Sequence, residues 1–171
     1  MPVKVEVKMD VPSMTEFMVY HIYSSGIGIA SMVLGVLNVG FTVTFAMKKQ
    51  YLYMALFFAF AFIILGIFPG LIRKRVAKQM EHSRRLNIPV TYAFDEYGIE
   101  TITPDDSGKA SWGKFKKAVS RKGIIILYDH AKQAIILPVN QIEHKYTDIV
   151  DLIYAHMPAP AVRIRRADGK K

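Results

Sequence analysis

Two long runs without a charged side chain constrain the fold of this chain more than any other feature. Residues 22–47 and residues 51–72 contain no Asp, Glu, Lys or Arg. At about 1.5 Å per helical residue, the shorter run is about 33 Å long, enough to cross a hydrocarbon core of about 30 Å. The sequence therefore predicts two transmembrane helices over these ranges, joined into a hairpin by the turn "KKQ".

The distribution of positive charge predicts how this hairpin is oriented. The net charge of +9 is concentrated in residues 73–85, which carry +5, and in residues 158–171, which carry +4. Eight Lys and Arg residues flank the hairpin on the side of the termini, against Lys48 and Lys49 in the turn. Because short basic segments stay on the cytoplasmic side, we expect a multi-pass protein with both termini in the cytoplasm. Residues 86–157 carry a net charge of −1, which argues against a nucleic-acid partner.

The basic segment after the second run predicts contact with the lipid bilayer. Residues 73–87 are expected to form a juxtamembrane helix that meets anionic lipids at the inner leaflet. The candidate membrane-surface residues are Arg73, Lys74, Arg75, Lys78, Arg84 and Arg85. A general anchor and a dedicated site for one anionic lipid both fit this pattern.

Small residues recur at steps of three and four along both apolar runs, which is typical of close helix packing. The candidate packing residues are Ser24, Gly28, Ser31, Gly35 and Asn38 in the first run, and Gly66 and Gly70 in the second. Because the turn is short, we expect the two faces to pack on each other. Self-association into a homo-oligomer is the alternative. Neither run carries an ionisable residue at mid-depth, as the path of a transporter would.

Residues 88–157 alternate short apolar strands with turn signals. Six strands are predicted there, followed by an amphipathic helix. That helix is expected to begin at Asn140, with Glu143 in capping-box position. This segment is the β domain of the chain.

The two ends of the chain are predicted to behave differently. Residues 3–9 alternate apolar and polar side chains, so we expect residues 1–10 to supply the first of seven strands of the β domain. Residues 11–21 then form a lead-in helix capped by Ser13. Residues 158–171 are rich in Pro and bases and predict a disordered tail.

These elements predict an α+β membrane protein: a two-helix transmembrane hairpin with a cytoplasmic, pleckstrin-homology-like (PH-like) small β-barrel closed by a C-terminal helix. The stretches "YAFDEYGIET", "SWGKFKKAV", "IIILY" and "AIILPVNQI", preceded by an N-terminal strand and two apolar runs, resemble the bacterial YcxB-like family. The resemblance implies this architecture and a place in the bacterial cytoplasmic membrane. It implies no reaction and transfers no catalytic residue.

The remaining polar residues predict no enzyme, no catalytic residue, no metal site and no cofactor. The four histidines after the hairpin lack the spacing of metal ligands, and the chain contains no cysteine. Asp105 and Asp106 lie in a stretch with the composition of a turn. Trp112 is expected to be a core anchor rather than a ligand-stacking residue.

One predicted strand and its turns carry a basic run, Lys114, Lys116, Lys117, Arg121 and Lys122. These bases either face an acidic partner or anionic headgroups, or they keep an edge strand from pairing with another sheet. Two functions follow as expectations. The first is a non-enzymatic adaptor or regulator whose domain binds an unidentified membrane or cytoplasmic protein. The alternative is a reader of anionic lipid headgroups at the inner leaflet.

Overall fold

The structure, a computed structural model, describes residues 2–83, 88–131 and 133–165. The chain divides into two compact units, residues 18–79 and residues 1–17 together with 80–171. The first unit is helical. The second unit contains the β-strands and the C-terminal helix.

The helices of the N-terminal half follow the two apolar runs. Helix α1 spans Val11–Tyr23, α2 spans Gly26–Met47, α3 spans Tyr51–Phe62 and α4 spans Phe68–His82, with a π-helical segment, Ile63–Ile67, between α3 and α4. Both α2 and the continuous helix from Tyr51 to His82 are long and apolar enough to cross a membrane, by length and composition. Their large apolar side chains are exposed, as at Ile27 (83%) and Leu52 (80%).

The helix boundaries differ from the predicted ones at two places. The first long helix does not begin at residue 22, because Ser24 and Ser25 separate α1 from α2. The Ser25 hydroxyl accepts a hydrogen bond from the Gly28 N–H at 3.0 Å and so caps α2. The basic segment from residue 73 is not a separate helix but the second half of α4, and residues 84–87 lie outside the described residues.

The two apolar helices pack closely where α2 lacks a side chain. Gly35 and Asn38 are buried, and a Cβ atom on Gly35 would lie 2.7 Å from Cδ2 of Leu65. Ala61 is buried in the second helix. The rings of Phe45 and Phe57 stack with centroids 5.4 Å apart. Large side chains of the second helix therefore fill the space that the small face of α2 leaves.

The small residues of the second helix do not take part in this packing, which corrects the prediction for them. Gly66 and Gly70 are exposed, and a Cβ atom on Gly70 would meet no atom within 4 Å. Ser24 is also exposed, whereas Ser31 is half-buried. Gly28 is buried against the end of α1, where a Cβ atom would lie 2.8 Å from the carbonyl carbon of Ile22. Self-association through the exposed small residues stays a prediction.

The β unit contains eight strands among its described residues, arranged in two sheets. They are β1 (Val3–Val7), β2 (Val90–Phe94), β3 (Gly98–Ile102), β4 (Ser107–Ser111), β5 (Phe115–Arg121), β6 (Ile124–Asp129), β7 (Ala134–Pro138) and β8 (Val162–Arg163). The first sheet has the order β1-β2-β3-β4 and is antiparallel throughout. The second has the order β7-β6-β5-β8, in which only β5 and β8 are parallel.

The strand before the apolar helices pairs with the strand that follows them. Along the antiparallel β1–β2 pair, Val3 lies opposite Phe94 and Val7 opposite Val90. Val5 and Val7 are buried, while Lys4 and Glu6 are exposed. The apolar helices are thus an insertion between the first two strands of one sheet.

The predicted closed barrel is not found among the described residues, because no strand pairing joins the two sheets. The chain leaves β4 through a 3-10 turn, Trp112–Lys114, and β5 then begins the second sheet. Trp112 fills this corner, with its ring 6.5 Å from that of Phe94 and 6.4 Å from that of Phe115. The sheets share one core, which includes the fully buried Phe94 and Ile99.

The helix caps differ from those predicted. The Asp10 carboxylate accepts a hydrogen bond from the Ser13 N–H at 2.7 Å, so Asp10 rather than Ser13 caps α1. The C-terminal helix is broken into α5 (Val139–Ile142), a 3-10 turn (Glu143–Lys145) and α6 (Tyr146–His156). Asn140 therefore lies inside α5, and Pro138 precedes that helix.

The predicted tail is ordered over its described part, residues 158–165. A 3-10 turn, Ala159–Ala161, leads into β8. Val162 and Ile164 are 6% and 5% exposed and belong to the core of the β unit. Burial of these two apolar side chains explains why this part of a Pro-rich, basic segment does not behave as a disordered tail. Residues 166–171 lie outside the described residues.

Candidate functional site

The described basic residues of α4 lie on the exposed surface of that helix. Arg73, Lys74, Arg75 and Lys78 are all exposed, whereas Ile72 and Val76 are buried. Since the helix rotates about 100° per residue, Lys74 and Lys78 lie opposite the buried stripe. Arg84 and Arg85 lie outside the described residues. The positive charge thus directly follows the apolar part of one continuous helix.

A cleft of about 480 Å³ opens beside this basic helix within the helical unit. Its lining is mostly apolar, with Met18 and Ile22 from α1 and Phe68 and Leu71 from α4, and it also includes Arg75. Apolar walls combined with a guanidinium group suit an amphiphile with an acyl chain and an anionic head.

The five bases of β5 and its turns do not form one compact patch. Lys114 lies in the turn before β5, and Lys122 lies in the hairpin turn after it. At about 3.3 Å per strand residue, these two positions are about 26 Å apart, which exceeds a Debye length of about 8 Å. Lys122 also forms an ion pair with Glu16 at 3.6 Å. Lys116 and Lys117 lie near one end of β5 and Arg121 at the other end.

β5 has a neighbouring strand on both sides. Keeping an unpaired edge strand from pairing with another sheet therefore does not fully explain its lysines. It pairs with β6 on one side and, at Ala118 and Val119, with β8 on the other. Within the described residues, β8 pairs with that edge at the centre of β5.

Asp95, in the turn between β2 and β3, is the centre of a polar cluster at the first sheet. Its carboxylate accepts hydrogen bonds from the backbone N–H groups of Tyr97 and Gly98, both at 2.8 Å, and forms an ion pair with Lys109 at 2.6 Å. The hydrogen bond from Lys109, together with those from the two N–H groups, lowers the pKa of Asp95. The same bond raises the pKa of Lys109. The Trp112 indole N–H donates to the Asp95 carbonyl at 2.9 Å, so this cluster stabilises the β2–β3 turn.

The described residues contain no group of three or more His, Asp or Glu that could hold a metal ion. Asp129 is buried and accepts a hydrogen bond from the Gln133 N–H at 2.7 Å, which closes the β6–β7 turn. Trp112 is buried and stacks on the His156 ring with centroids 5.4 Å apart. Asp129 therefore stabilises a turn, and Trp112 and His156 pack together in the β unit.

The edge of β5 carries the tail segment, defined as residues 162–165. Val162 lies opposite Ala118 in the parallel β5–β8 pair. The hydroxyl of Tyr154 on α6 donates to the Ile164 carbonyl at 2.8 Å. The hydroxyl of Tyr146 donates to the Arg165 carbonyl at 2.7 Å, and burial raises the pKa of Tyr146. The tail segment therefore lies in a tail groove between β5 and α6.

Sequence reasoning missed this groove. The usable signal was the alternation "VRIR", in which apolar and basic residues follow each other with the period of a strand. That signal is weak, because the alternation is only four residues long and directly follows a proline-rich stretch.

These observations define the class of the chain: two apolar helices inserted after the first strand of a two-sheet β domain that ends in a helix. Residues 94–153, from the end of β2 into α6, match the model of the family described as YcxB-like protein. The resemblance noted in the sequence is therefore confirmed for this segment. Comparisons with curated proteins and with solved structures give no match.

Proposed function

We propose that this chain is a non-enzymatic integral membrane protein that presents a PH-like β domain to the cytoplasm and binds another protein there. The β1–β2 pairing is the observation that carries the topology. Because β1 precedes the apolar helices and β2 follows them, both flanks must lie on one side of a membrane that the helices cross. The excess of bases on that side supports a cytoplasmic location for it.

Lipid contact by α2 and α3 is supported by their exposed surface. Large apolar side chains of these helices, such as Ile27, Leu52 and Phe62, are exposed, whereas most of the large apolar side chains of the β unit are buried. An apolar surface this large supports contact with the hydrocarbon core of a bilayer. We propose that both helices span the bacterial cytoplasmic membrane.

The PH-like assignment is supported by the order of the elements. Four antiparallel strands form one sheet, β5, β6 and β7 form the second together with β8, and the helix α6 lies between β7 and β8 in the chain. Such small two-sheet domains act through their surfaces, so an adaptor or regulator role follows by analogy of fold. The exposed bases of β5 and its turns are surface features that such a partner can use.

The test is purification of the tagged full-length protein from its native membrane in nanodiscs, followed by mass spectrometry of bound proteins and lipids. We expect a stoichiometric protein that is lost when Lys116 and Arg121 are changed to Glu. The matched control is the same change at Lys48 and Lys49 in the helix turn, which should leave the partner bound. Enriched anionic lipid without any protein would refute the adaptor function.

A second candidate function, an anionic-lipid reader, is favoured by the cleft beside α4. The cleft combines apolar walls with Arg75, and Arg73 and Lys74 lie next to it in sequence. Native mass spectrometry in mixed-lipid nanodiscs tests this. Arg75→Gln should reduce retention of phosphatidylglycerol several-fold while Lys48→Gln does not, and the retained lipid should fall steeply with added salt.

A further inference from the structure

A cavity of about 250 Å³ lies within the helical unit, between two departures from regular helix. One side of its lining includes Ser25, in the break between α1 and α2. The other side includes Ile63 and Ile64 of the π-helical segment. We call this space the break cavity. Because π-helical segments inside longer helices are frequent at functional sites, the break cavity is a candidate binding site.

The two serine hydroxyls in the wall of the break cavity are already engaged. The Ser25 hydroxyl donates to the Ile22 carbonyl at 2.6 Å, and the Ser31 hydroxyl donates to the Ile27 carbonyl at 2.9 Å. These hydroxyls need no partner from a ligand, whereas a polar ligand would lose its own hydration in an apolar cavity. The break cavity therefore suits a hydrocarbon chain better than a polar molecule.

The break cavity adjoins the cleft of about 480 Å³ beside α4, because Ile22 and Phe68 line both. The two spaces together are called the acyl cleft. It extends from Ile63 to Arg75. Over that stretch a helix advances about 18 Å, at about 1.5 Å per residue. One leaflet of a hydrocarbon core of about 30 Å is about 15 Å thick. The acyl cleft therefore matches one lipid acyl chain in length.

The two ends of the acyl cleft differ in charge. Arg75 lines one end and is exposed, and the exposed Arg73 and Lys74 precede it in the chain. No ion pair between described residues involves Arg75. A guanidinium group binds a phosphate through two parallel hydrogen bonds, so this end suits the phosphate of a lipid head. The charge thus favours an anionic phospholipid over an uncharged hydrocarbon as the occupant.

We infer that the acyl cleft holds one acyl chain of an anionic phospholipid, with the phosphate at Arg75 and the chain end between Ser31 and Ile63. This inference rests on the membrane insertion and the anionic-lipid function proposed above, and it names the path of the bound chain. The helix break and the π-helical segment make room for that chain.

The test is native mass spectrometry of the full chain released from nanodiscs of mixed composition. The nanodiscs contain phosphatidylglycerol with myristoyl chains, phosphatidylglycerol with oleoyl chains and phosphatidylcholine with oleoyl chains. Two ratios are measured among the retained lipids: long-chain to short-chain phosphatidylglycerol, and oleoyl phosphatidylglycerol to oleoyl phosphatidylcholine. Ser31→Leu fills the deep end of the acyl cleft, and Ala30→Leu, at an exposed position outside that lining, is the matched control.

Ser31→Leu should lower the chain-length ratio at least about fivefold, the factor that corresponds to about 1 kcal/mol of overpacking. Its headgroup ratio should stay at the wild-type value. Arg75→Gln should do the opposite, with a reduced headgroup ratio and an unchanged chain-length ratio. Ala30→Leu should match wild type in both ratios.

The two ratios separate failure of the inference from failure of the function. An unchanged chain-length ratio in Ser31→Leu, with the preference for phosphatidylglycerol retained, would overturn the inference and leave the anionic-lipid function standing. Equal retention of phosphatidylglycerol and phosphatidylcholine by wild type would remove that function and the inference with it.

A measurement on the unaltered chain decides the matter if Ser31→Leu lowers the helix content seen by circular dichroism. Phosphatidylglycerol with a diazirine at the end of one chain is photocrosslinked to wild type in the nanodisc, and the labelled residues are mapped by mass spectrometry. Crosslinks should concentrate at the lining of the break cavity. Crosslinks spread evenly over exposed apolar residues elsewhere on α2, such as Ile29 and Leu34, would overturn the inference.

Discussion

Gly98 at the start of β3 offers a sharp test of the packing between β3 and β4. It lies opposite Ser111. A Cβ atom on Gly98 would lie 2.8 Å from the Ser111 Cα and 2.9 Å from the Ala110 carbonyl carbon, with the Ala110 oxygen closer still. These atoms belong to the backbone and cannot rotate away. Gly98→Ala should therefore push the two strands apart.

The size of the effect follows from this displacement. Carbon atoms in contact sit about 3.5–4.0 Å apart, so the strands must separate by about 1 Å. Hydrogen bonds stretched by that amount lose most of a net contribution of about 0.5–1.5 kcal/mol each. Two such bonds give about 1–3 kcal/mol, which is the range of overpacking. For a domain of this size, that corresponds to a fall in Tm of about 5–20 °C.

The assay uses Trp112, the single tryptophan, which is buried beside this turn. Its fluorescence during thermal or urea unfolding in detergent reports on the β unit while the apolar helices remain in the micelle. Gly108→Ala is the matched control, because a Cβ atom on Gly108 of β4 would meet no atom within 4 Å. It should stay within about 0.5 kcal/mol of wild type. Equal unfolding midpoints for Gly98→Ala and Gly108→Ala would refute the reasoning.

Three further predictions concern the helix break, the charged turn and the N-terminal strand. Gly28→Ala should destabilise the helical unit in detergent, because the added Cβ atom would clash with the Ile22 backbone. Gly40→Ala, whose Cβ atom would meet no atom within 4 Å, should be neutral or stabilising. Thermal melting of the helices, followed by circular dichroism, measures both effects. The lowered pKa of Asp95 means that its stabilising charge is present above the unfolded pKa of about 3.9 and is lost as pH falls through the folded value. Wild type should thus unfold at higher temperature than Asp95→Asn at pH 7, with the difference vanishing in acid; a constant difference would contradict this. Gln141→Ala removes two 2.8 Å hydrogen bonds to the backbone of Lys8, so the Lys8 amide should exchange faster with deuterium while core amides do not.

Much of the local structure was predictable because the apolar and polar residues that specify it recur with a regular spacing in the sequence. The charge-free runs correspond to long apolar helices, and the alternation of Val3, Val5 and Val7 corresponds to a strand with one buried face. Six of the seven strands that follow the helices correspond to predicted strands, whereas β8 was not predicted. Each of these features depends on which residues alternate along a short segment, and that information is contained in the segment itself.

The candidate site was less predictable because it depends on contacts between distant segments. The basic run of β5 reads as one cluster in sequence, yet the extended strand spreads its charges over about 26 Å. The small residues of both apolar runs looked equivalent, but only the face of α2 with Gly35 and Asn38 packs against the second helix. The tail segment carries too few residues for a periodic signal and takes its structure from β5 and α6.

The long apolar helices and most of the strands could be predicted from the sequence alone, because hydropathy and periodicity act locally. Three features became visible only in the folded chain: the pairing of β1 with β2 across the inserted helices, the two sheets found in place of a barrel among the described residues, and the position of the tail segment on the edge of β5. Those outcomes depend on the burial of specific side chains, Trp112 at the corner and Val162 and Ile164 in the groove, by residues far away in the chain.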